Sequence, residues 1–283
     1  MRVSVIIPTK NEEEGLAKIL PELKSMSFEY ELELLVIDDG STDATASVAK
    51  EYGAKVVSHA YSKGNGAAIK TGAREASGDI FVFMDGDGQH QPSDIPRLLN
   101  AMSEGYDMVV GARSSSGQAS GARWAGNALY NGFASWMVER KVEDLTSGFR
   151  AVDATKFKEF LSLLPNGFSY PTTITMAFFR SGYSVGYLPI KVHERLGKSH
   201  IRLFRDGLKF LLIIFKIGTL YSPLKLFTLL AAGTFSAGLA YYVYTYINFE
   251  RFTNMSALLF TTSVEIFLFG LVAEQISTLY YKK

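Results

Sequence analysis

Two carboxylates separated by a single glycine, Asp85-Gly86-Asp87, follow the apolar run 80–84 and lead into Gln89-His90-Gln91-Pro92. Carboxylates at that spacing converge on one hard cation. Mg2+ or Mn2+ held by few protein carboxylates keeps coordination positions open for phosphate oxygens. A second acidic pair, Asp38-Asp39, with Gly40-Ser41 behind it, closes the apolar run 33–37. Carboxylates there can accept from a nucleoside base or ribose, while Ser41 and Asp43 are equally placed to cap the next helix. Lys63-Gly64-Asn65-Gly66 opens a helical stretch. Glycines let backbone approach a phosphate, and a helix N-terminus favours anions. No Gly-Lys-Ser/Thr follows at the Walker spacing, and Ile69 stands where GxGxxG has its third glycine, which disfavours a P-loop kinase and a dinucleotide enzyme. Arg113, Arg123, Arg150 and Arg195 fall after strand-like runs or in loops, some beside the Gly/Ser-rich stretches 114–121 and 146–148. Guanidinium groups suit bidentate phosphate binding. His59, His90, His193 and His200 show no metal-ligand spacing, and no nucleophile-elbow sequence is present, so hydrolase chemistry has no support. With no cysteine in the chain, a disulfide scaffold, a thiolate metal site and a cysteine nucleophile are all excluded.

The elements that must position these groups alternate. Apolar runs at 3–8, 33–37, 55–58, 79–84 and 107–111 are separated by helical spacing over 11–24, 43–52, 67–76 and 92–104. Strands alternating with helices of that length predict a mostly parallel, doubly wound sheet, in which ligands bind beyond the carboxyl ends of the strands. The acidic pairs fall there. The 283 residues carry 29 Lys+Arg against 28 Asp+Glu, a net charge of +1 that argues against a general nucleic-acid binder.

The C-terminal part is different. Residues 226–249 contain no Asp, Glu, Lys or Arg. As a helix this run is about 36 Å long, enough to cross a hydrocarbon core of about 30 Å. A second apolar run, 255–279, is interrupted only by Glu265 and Glu274, and the short polar link 248–254 predicts a hairpin. Tyr241, Tyr242, Tyr244 and Tyr246, with Tyr280 and Tyr281 at the other end, form interfacial aromatic belts. Lys216, Lys225, Lys282 and Lys283 flank the hairpin on one side against Arg251 in the link, and no signal peptide precedes residue 3. The positive-inside rule then places both termini and the catalytic domain in the cytosol. Glu265 falls near mid-membrane and requires a partner. Contact with a second copy, helped by Ala231, Ala232, Gly233 and Gly238, is the expectation. Ahead of the hairpin, Arg202, Arg205, Asp206 and Lys209 fall on one face of an otherwise apolar stretch, the pattern of a helix lying in the membrane surface. The basic excess over 191–216 suits anionic headgroups or an anionic lipid substrate.

VIIPTKNEEE at 5–14, VIDDGSTDAT at 36–45 and GDIFVFMDGDGQHQP at 78–92 together resemble glycosyltransferase family 2. The resemblance covers roughly residues 1–200. It implies a GT-A fold (Rossmann-like, mostly parallel), a nucleotide-sugar donor and a divalent metal, Mg2+ or Mn2+, on the DxD triplet. Within the family, SGFRA at 147–151, HERLGKSH at 193–200 and the hairpin resemble the polyprenyl-phosphate glycosyltransferases, dolichyl-phosphate mannose synthases among them. His200 and Lys10 depart from the usual residues, Lys and an aromatic. The resemblance implies an α/β catalytic domain over 1–198, an interfacial amphipathic helix over 199–222 and a transmembrane hairpin over 223–283, with spans at about 224–248 and 255–279. Carried over, Pro8, Glu12, Ile37 and Asp39 line the nucleoside pocket, and Lys10 and Lys63 join them in binding the nucleotide-sugar. Asp85, Gly86, Asp87 and Gln89 serve metal and diphosphate. Arg113, Arg123 and Ser147 flank the sugar and the acceptor phosphate, and Arg195 and Lys198 join them there. Asp87, Arg113 and Arg123 are implied as catalytic.

A sugar hydroxyl needs a general base, whereas a lipid monophosphate, with a second pKa of about 6, is already anionic at neutral pH. No ED or TED base is evident after residue 120, Glu143-Asp144 being the nearest candidate. The expected reaction is therefore inverting transfer of a hexose from GDP-mannose or a UDP-hexose to dolichyl or undecaprenyl monophosphate. Transfer to another membrane glycolipid or lipid-diphosphate sugar is the alternative. A polysaccharide synthase fits less well, because Gln118 and Arg123-Trp124 give Q-x4-RW rather than QxxRW.

Overall fold

The computed structural model describes residues 1–26, 30–113, 121–167, 170–192, 215 and 218–281, the backbone alone at 121–127 and 280–281. Two compact units divide the chain, Met1–Ile201 and Arg202–Lys283. The segment 193–200, with Arg195 and Lys198, and most of the expected interfacial helix lie outside the described residues.

In the first unit, β1 (Arg2–Thr9), β2 (Glu31–Asp38), β3 (Lys55–Ser58) and β4 (Ile80–Phe83) are linked by α1 (Glu13–Ser25), α2 (Thr45–Glu51) and α3 (Asn65–Glu75). A 3-10 turn, Pro92–Asp94, leads into α4 (Ile95–Ser103), followed by β5 (Met108–Arg113) and α5 (Gly121–Val138). β6 (Arg150–Asp153), α6 (Ala154–Glu159), α7 (Tyr170–Arg180) and β7 (Val185–Ile190) complete it. The strands form one seven-stranded sheet in the order β3-β2-β1-β4-β6-β5-β7. β1 is parallel to both β2 and β4, and β5 is parallel to β7. Only β6 runs against its neighbours β4 and β5, so the sheet is mixed and mostly parallel. From Val3 to Thr9 every residue of β1 is buried, as a central strand with both faces covered requires. Leu16, Ile19, Leu20 and Leu23 are the buried aliphatic positions of α1 and join Val5, Ile7, Val82 and Leu98 in one core.

The chain steps outward from β1 through β2 to β3, then returns past β1 to β4. That reversal leaves a crevice at the carboxyl ends of β1, β2 and β4, the place where open α/β sheets bind ligands.

The second unit holds α8 (Pro223–Phe249) and α9 (Asn254–Tyr281), antiparallel helices long and apolar enough to cross a membrane, with mean hydropathies of 1.5 and 1.8. They pack through Phe235 against Phe260, ring centroids 5.2 Å apart, with Gly238 letting Leu259 approach. Glu274 has a local role, since its Oε2 accepts from Leu224 N at 3.2 Å and satisfies an orphan amide in the first turn of α8. Ser277 Oγ donates to Leu220 O at 2.8 Å. Glu265 is exposed on α9, and no hydrogen bond or ion pair to it is found among the described residues.

Candidate active site

A cleft of about 470 Å³ opens at the crevice. Pro8, Lys10 and Glu12 line it from the end of β1, Asp39, Ser62 and Gly64 from the ends of β2 and β3, and Asp85, Gly86, Asp87 and Gln89 from the end of β4. Of the residues singled out in the sequence, Ile37, Lys63, Arg113 and Ser147 are not among its lining. Ile37 is fully buried with its side chain beneath Gly72 of α3, so it contributes to the core rather than to a nucleoside surface. Lys63 extends outward, its Nζ 5.9 Å from the Tyr61 ring centroid. Arg123 lies on α5, where only backbone is described.

The two loops that follow β1 and β2 at one end of the cleft are laced together. Asn11, held at φ +54°, accepts from Thr42 N at 2.8 Å through Oδ1, while its own N–H donates to Ser41 Oγ at 2.9 Å. Glu12 N donates to Thr45 Oγ1 at 3.0 Å, and Ala44 N to Glu13 Oε2 at 2.8 Å. Ser41 therefore holds the 10–13 loop instead of capping α2. Asp43 keeps a local role, accepting from Thr45 N at 3.0 Å. The acidic and hydroxyl residues around 41–45 fix the loop that carries Lys10 and Glu12.

Asp39 is buried and fully engaged. Oδ1 accepts from His59 Nδ1 at 2.7 Å and Lys63 N at 2.8 Å; Oδ2 accepts from Ser62 Oγ at 2.7 Å and Gly64 N at 2.8 Å. Burial raises its pKa, but these four donors outweigh that and hold the carboxyl at about 2. The glycines of Lys63-Gly64-Asn65-Gly66 also act differently from the phosphate-cradle expectation. Gly66 N donates to Gly167 O and Ala67 N to Asn166 O, so carbonyls of the 165–167 segment cap α3. Gly64, at φ +101°, has no room for a side chain, since a Cβ would stand 2.6 Å from Asn166 O. The amides of 63, 64, 66 and 67 are thus committed within the protein.

At the other end of the cleft, Asp87 Oδ1 accepts from Gln89 N at 3.1 Å. The Asp85 carboxylate faces Gly148, where a Cβ would lie 2.8 Å from Oδ2. Among the described residues no group of three or more His, Cys, Asp or Glu could hold a metal. The available set, two carboxylates and the Gln89 amide oxygen, is all-oxygen and incomplete. That fits Mg2+ or Mn2+ completed by phosphate oxygens and fits poorly with a closed protein cage. His90 stacks on Phe149, centroids 5.0 Å apart, with its buried Nδ1 unpartnered at 3.9 Å from Asp85 Oδ2.

Arg113, the last residue of β5, forms a bidentate pair with buried Asp144, Nε to Oδ2 at 2.8 Å and Nη2 to Oδ1 at 2.9 Å. Asp144 also accepts from the Thr146 and Ser147 amides at 3.1 Å. Burial raises the Asp144 pKa, while Arg113 and these amides bring it below the ordinary value. A carboxylate so engaged is an anchor for the 144–148 turn and a poor general base. Ser147 Oγ is buried with no hydrogen-bond partner. Arg150 is fully buried in β6, its guanidinium donating to Ser147 O, to Pro171 O at 3.2 Å and to Thr175 Oγ1 at 3.0 Å. It braces the turn against α7, a structural role the sequence left indistinct from phosphate binding. Ser62, Asn65 and His59 were not singled out for the site. The rule that ligands gather beyond strand ends was the signal for Ser62 and His59, which follow β3 directly.

A model of the glycosyl transferase family 2 matches residues 4–161, and a model of the GtrB C-terminal hairpin matches residues 222–279. The glycosyltransferase AglJ of Haloferax volcanii is 27% identical over 98% of this chain and 94% of that protein. An undecaprenyl-phosphate mannosyltransferase of Micrococcus luteus is 33% identical over 70% of this chain and 87% of that protein. A dolichol-phosphate mannosyltransferase of Pyrococcus furiosus is 42% identical, over 40% of this chain and 33% of that protein. Among solved structures, glucosyl-3-phosphoglycerate synthase of Mycobacterium tuberculosis, with Mn2+, UDP and glucosyl-3-phosphoglycerate, superposes with a TM-score of 0.60 at 21% identity, covering 75% of this chain and 79% of that one.

Proposed function

Starting from a chain that belongs to glycosyl transferase family 2 and is therefore a glycosyltransferase, we propose that it moves a hexose from GDP-mannose or a UDP-hexose onto a polyprenyl monophosphate, dolichyl or undecaprenyl. The relatives named for transfer to dolichol phosphate and undecaprenyl phosphate support that acceptor class. The observation that carries the reading is one cleft with paired carboxylates at one end and the polar residues Lys10, Glu12, Asp39 and Ser62 at the other, on a chain that also bears a hairpin of membrane length.

The nucleoside lies at the Lys10, Glu12 and Asp39 end, with Lys63 beside its entrance. The diphosphate lies toward Asp85, Asp87 and Gln89, which would hold Mg2+ or Mn2+. Such an ion supplies charge neutralisation on the departing diphosphate. An acceptor phosphate oxygen attacks the anomeric carbon from the face opposite the leaving group. One C–O bond forms as the bond to the nucleoside diphosphate breaks, so the configuration inverts. No proton has to be removed from the attacking monophosphate, which agrees with Asp144 being engaged by Arg113 and two amides. Ser147 has a free hydroxyl for the acceptor side, and Arg113, Arg123, Arg195 and Lys198 supply positive charge there. The catalytic unit faces the cytosol, following the positive-inside rule, and Glu265 meets a second copy of the hairpin.

The test is a donor screen on purified protein in detergent, with Mn2+ or Mg2+, C55 or dolichyl monophosphate, and radiolabelled GDP-mannose, UDP-glucose and UDP-N-acetylglucosamine in turn. A mild-acid-labile, organic-extractable product from one donor is expected. Donor binding without product from any of the three contradicts the acceptor and favours another membrane glycolipid.

A further inference from the structure

His59 is a buried ionisable group that the proposed chemistry does not use. It directly follows β3, and its amide N–H donates to Asp38 O at 2.9 Å, continuing the ladder to β2. Its side chain is 5% exposed. Nδ1 is 2.7 Å from Asp39 Oδ1, and Nε2 is 2.9 Å from Thr71 Oγ1 on α3. An ionised carboxylate can only accept, so Nδ1 carries the proton to Asp39. In the neutral ring Nε2 is then the acceptor, and the Thr71 hydroxyl donates to it. Both ring nitrogens are satisfied, and the ring plane is fixed from two sides.

The other donors to Asp39 belong to the 62–64 loop: Ser62 Oγ, Lys63 N and Gly64 N. Ser62 and Gly64 line the cleft. Among the described residues that donate to the Asp39 carboxylate, His59 is the one outside this loop, tying the carboxylate back to α3 and the sheet. Without the imidazole, the Asp39 carboxylate would keep only its donors from the 62–64 loop.

We infer that His59 is a positioning residue for the donor: through the Thr71–His59–Asp39 chain it fixes the wall of the cleft against which the nucleoside binds. The inference rests on the placing of the nucleoside at that end. It requires that loss of the imidazole weaken nucleotide binding and leave the acceptor side untouched.

The experiment titrates full-length protein in detergent, with Mn2+ present, with UDP and with GDP by calorimetry. KM for donor and for C55 monophosphate is measured in parallel. His59→Leu is expected to weaken nucleotide binding about tenfold, the scale of one hydrogen bond to a charged group, and to raise donor KM similarly at unchanged acceptor KM. His59→Asn, whose amide can still donate to Asp39, is expected to recover most of the affinity. Should the Leu variant not fold, Thr71→Val, which leaves Nε2 unmatched, is expected to weaken nucleotide binding in the same direction.

Nucleotide affinity in His59→Leu, or in Thr71→Val where that variant stands in, equal to wild type overturns the inference. So does a parallel rise in donor and acceptor KM that His59→Asn does not rescue, since that is the mark of a general structural role. Wild-type protein that binds neither UDP nor GDP overturns the donor placement itself, and the inference with it.

Discussion

Gly148 Cα sits directly against the Asp85 carboxylate, so close that an added methyl would come within 2.8 Å of Oδ2 and 3.1 Å of Oδ1. Asp85 ends the β4 side of the cleft, whereas Gly148 belongs to a turn anchored by Asp144 and braced by Arg150. The turn thus backs one of the two carboxylates proposed to hold the metal. Gly148→Ala should push that carboxylate aside while the core stays intact. The expected result is a loss of turnover of about tenfold or more, with a higher Mn2+ concentration needed for half-maximal rate. Titrating activity against Mn2+ in both proteins checks this, and superimposable curves would contradict it.

Asp87→Ala removes the second carboxylate, which faces the cleft and accepts from Gln89 N. Turnover should fall by on the order of 10²- to 10³-fold, the scale for losing one preorganised electrostatic group. Circular dichroism and membrane extraction should match wild type. Turnover at the wild-type rate would remove Asp87 from the metal site.

Acid should destabilise the catalytic unit in a defined window. Burial raises the pKa of both Asp39 and Asp144, yet hydrogen bonds, from His59 and the 62–64 loop in one case and Arg113 in the other, leave both below their ordinary values. When the folded value is depressed, the unfolded chain binds more protons, and the stabilisation is present above the unfolded pKa and lost as pH falls through the folded one. For Asp39, held at about 2, the contribution is about 2 kcal/mol, disappearing between roughly pH 4 and pH 2. Asp39→Asn should flatten the acid limb of a melting-temperature profile. An unchanged limb would show that Asp39 carries no such linkage.

Much of this was legible from the chain because β1 to α4 is built from local signals. Each apolar run is bounded by polar turns, and the acidic pairs follow strands directly. What was hidden depends on distant partners. The glycines at 64 and 66 read as room for a phosphate, but the approaching group is the 165–167 backbone, about a hundred residues away. β6 is four residues long and begins with a fully buried arginine, so Arg150-Ala-Val-Asp reads as part of a motif and not as a strand. Its antiparallel pairing to β4 and β5 has no local signature. Asp144 looks like a base in sequence and is an anchor in space because Arg113, at the end of β5, reaches it.

Glu265 is exposed on α9, while Glu274 on the same helix is bound to the start of α8. A carboxyl at mid-span facing lipid is costly by about 2.5–3.5 kcal/mol on insertion scales. If a second hairpin covers it, Glu265→Leu should remove a polar contact between copies and lower the oligomeric fraction seen by light scattering in mild detergent. A wild-type protein that is monomeric under those conditions would leave Glu265 facing lipid and refute the paired arrangement.

The most direct measurement is the mass of the lipid product. Protein in detergent with its preferred nucleotide-sugar and C55 monophosphate should yield a lipid that carries one phosphate and one hexose, labile to mild acid, with nucleoside diphosphate released in equal amount. A product that carries two phosphates, or donor consumption with the lipid unmodified, would contradict transfer to a polyprenyl monophosphate.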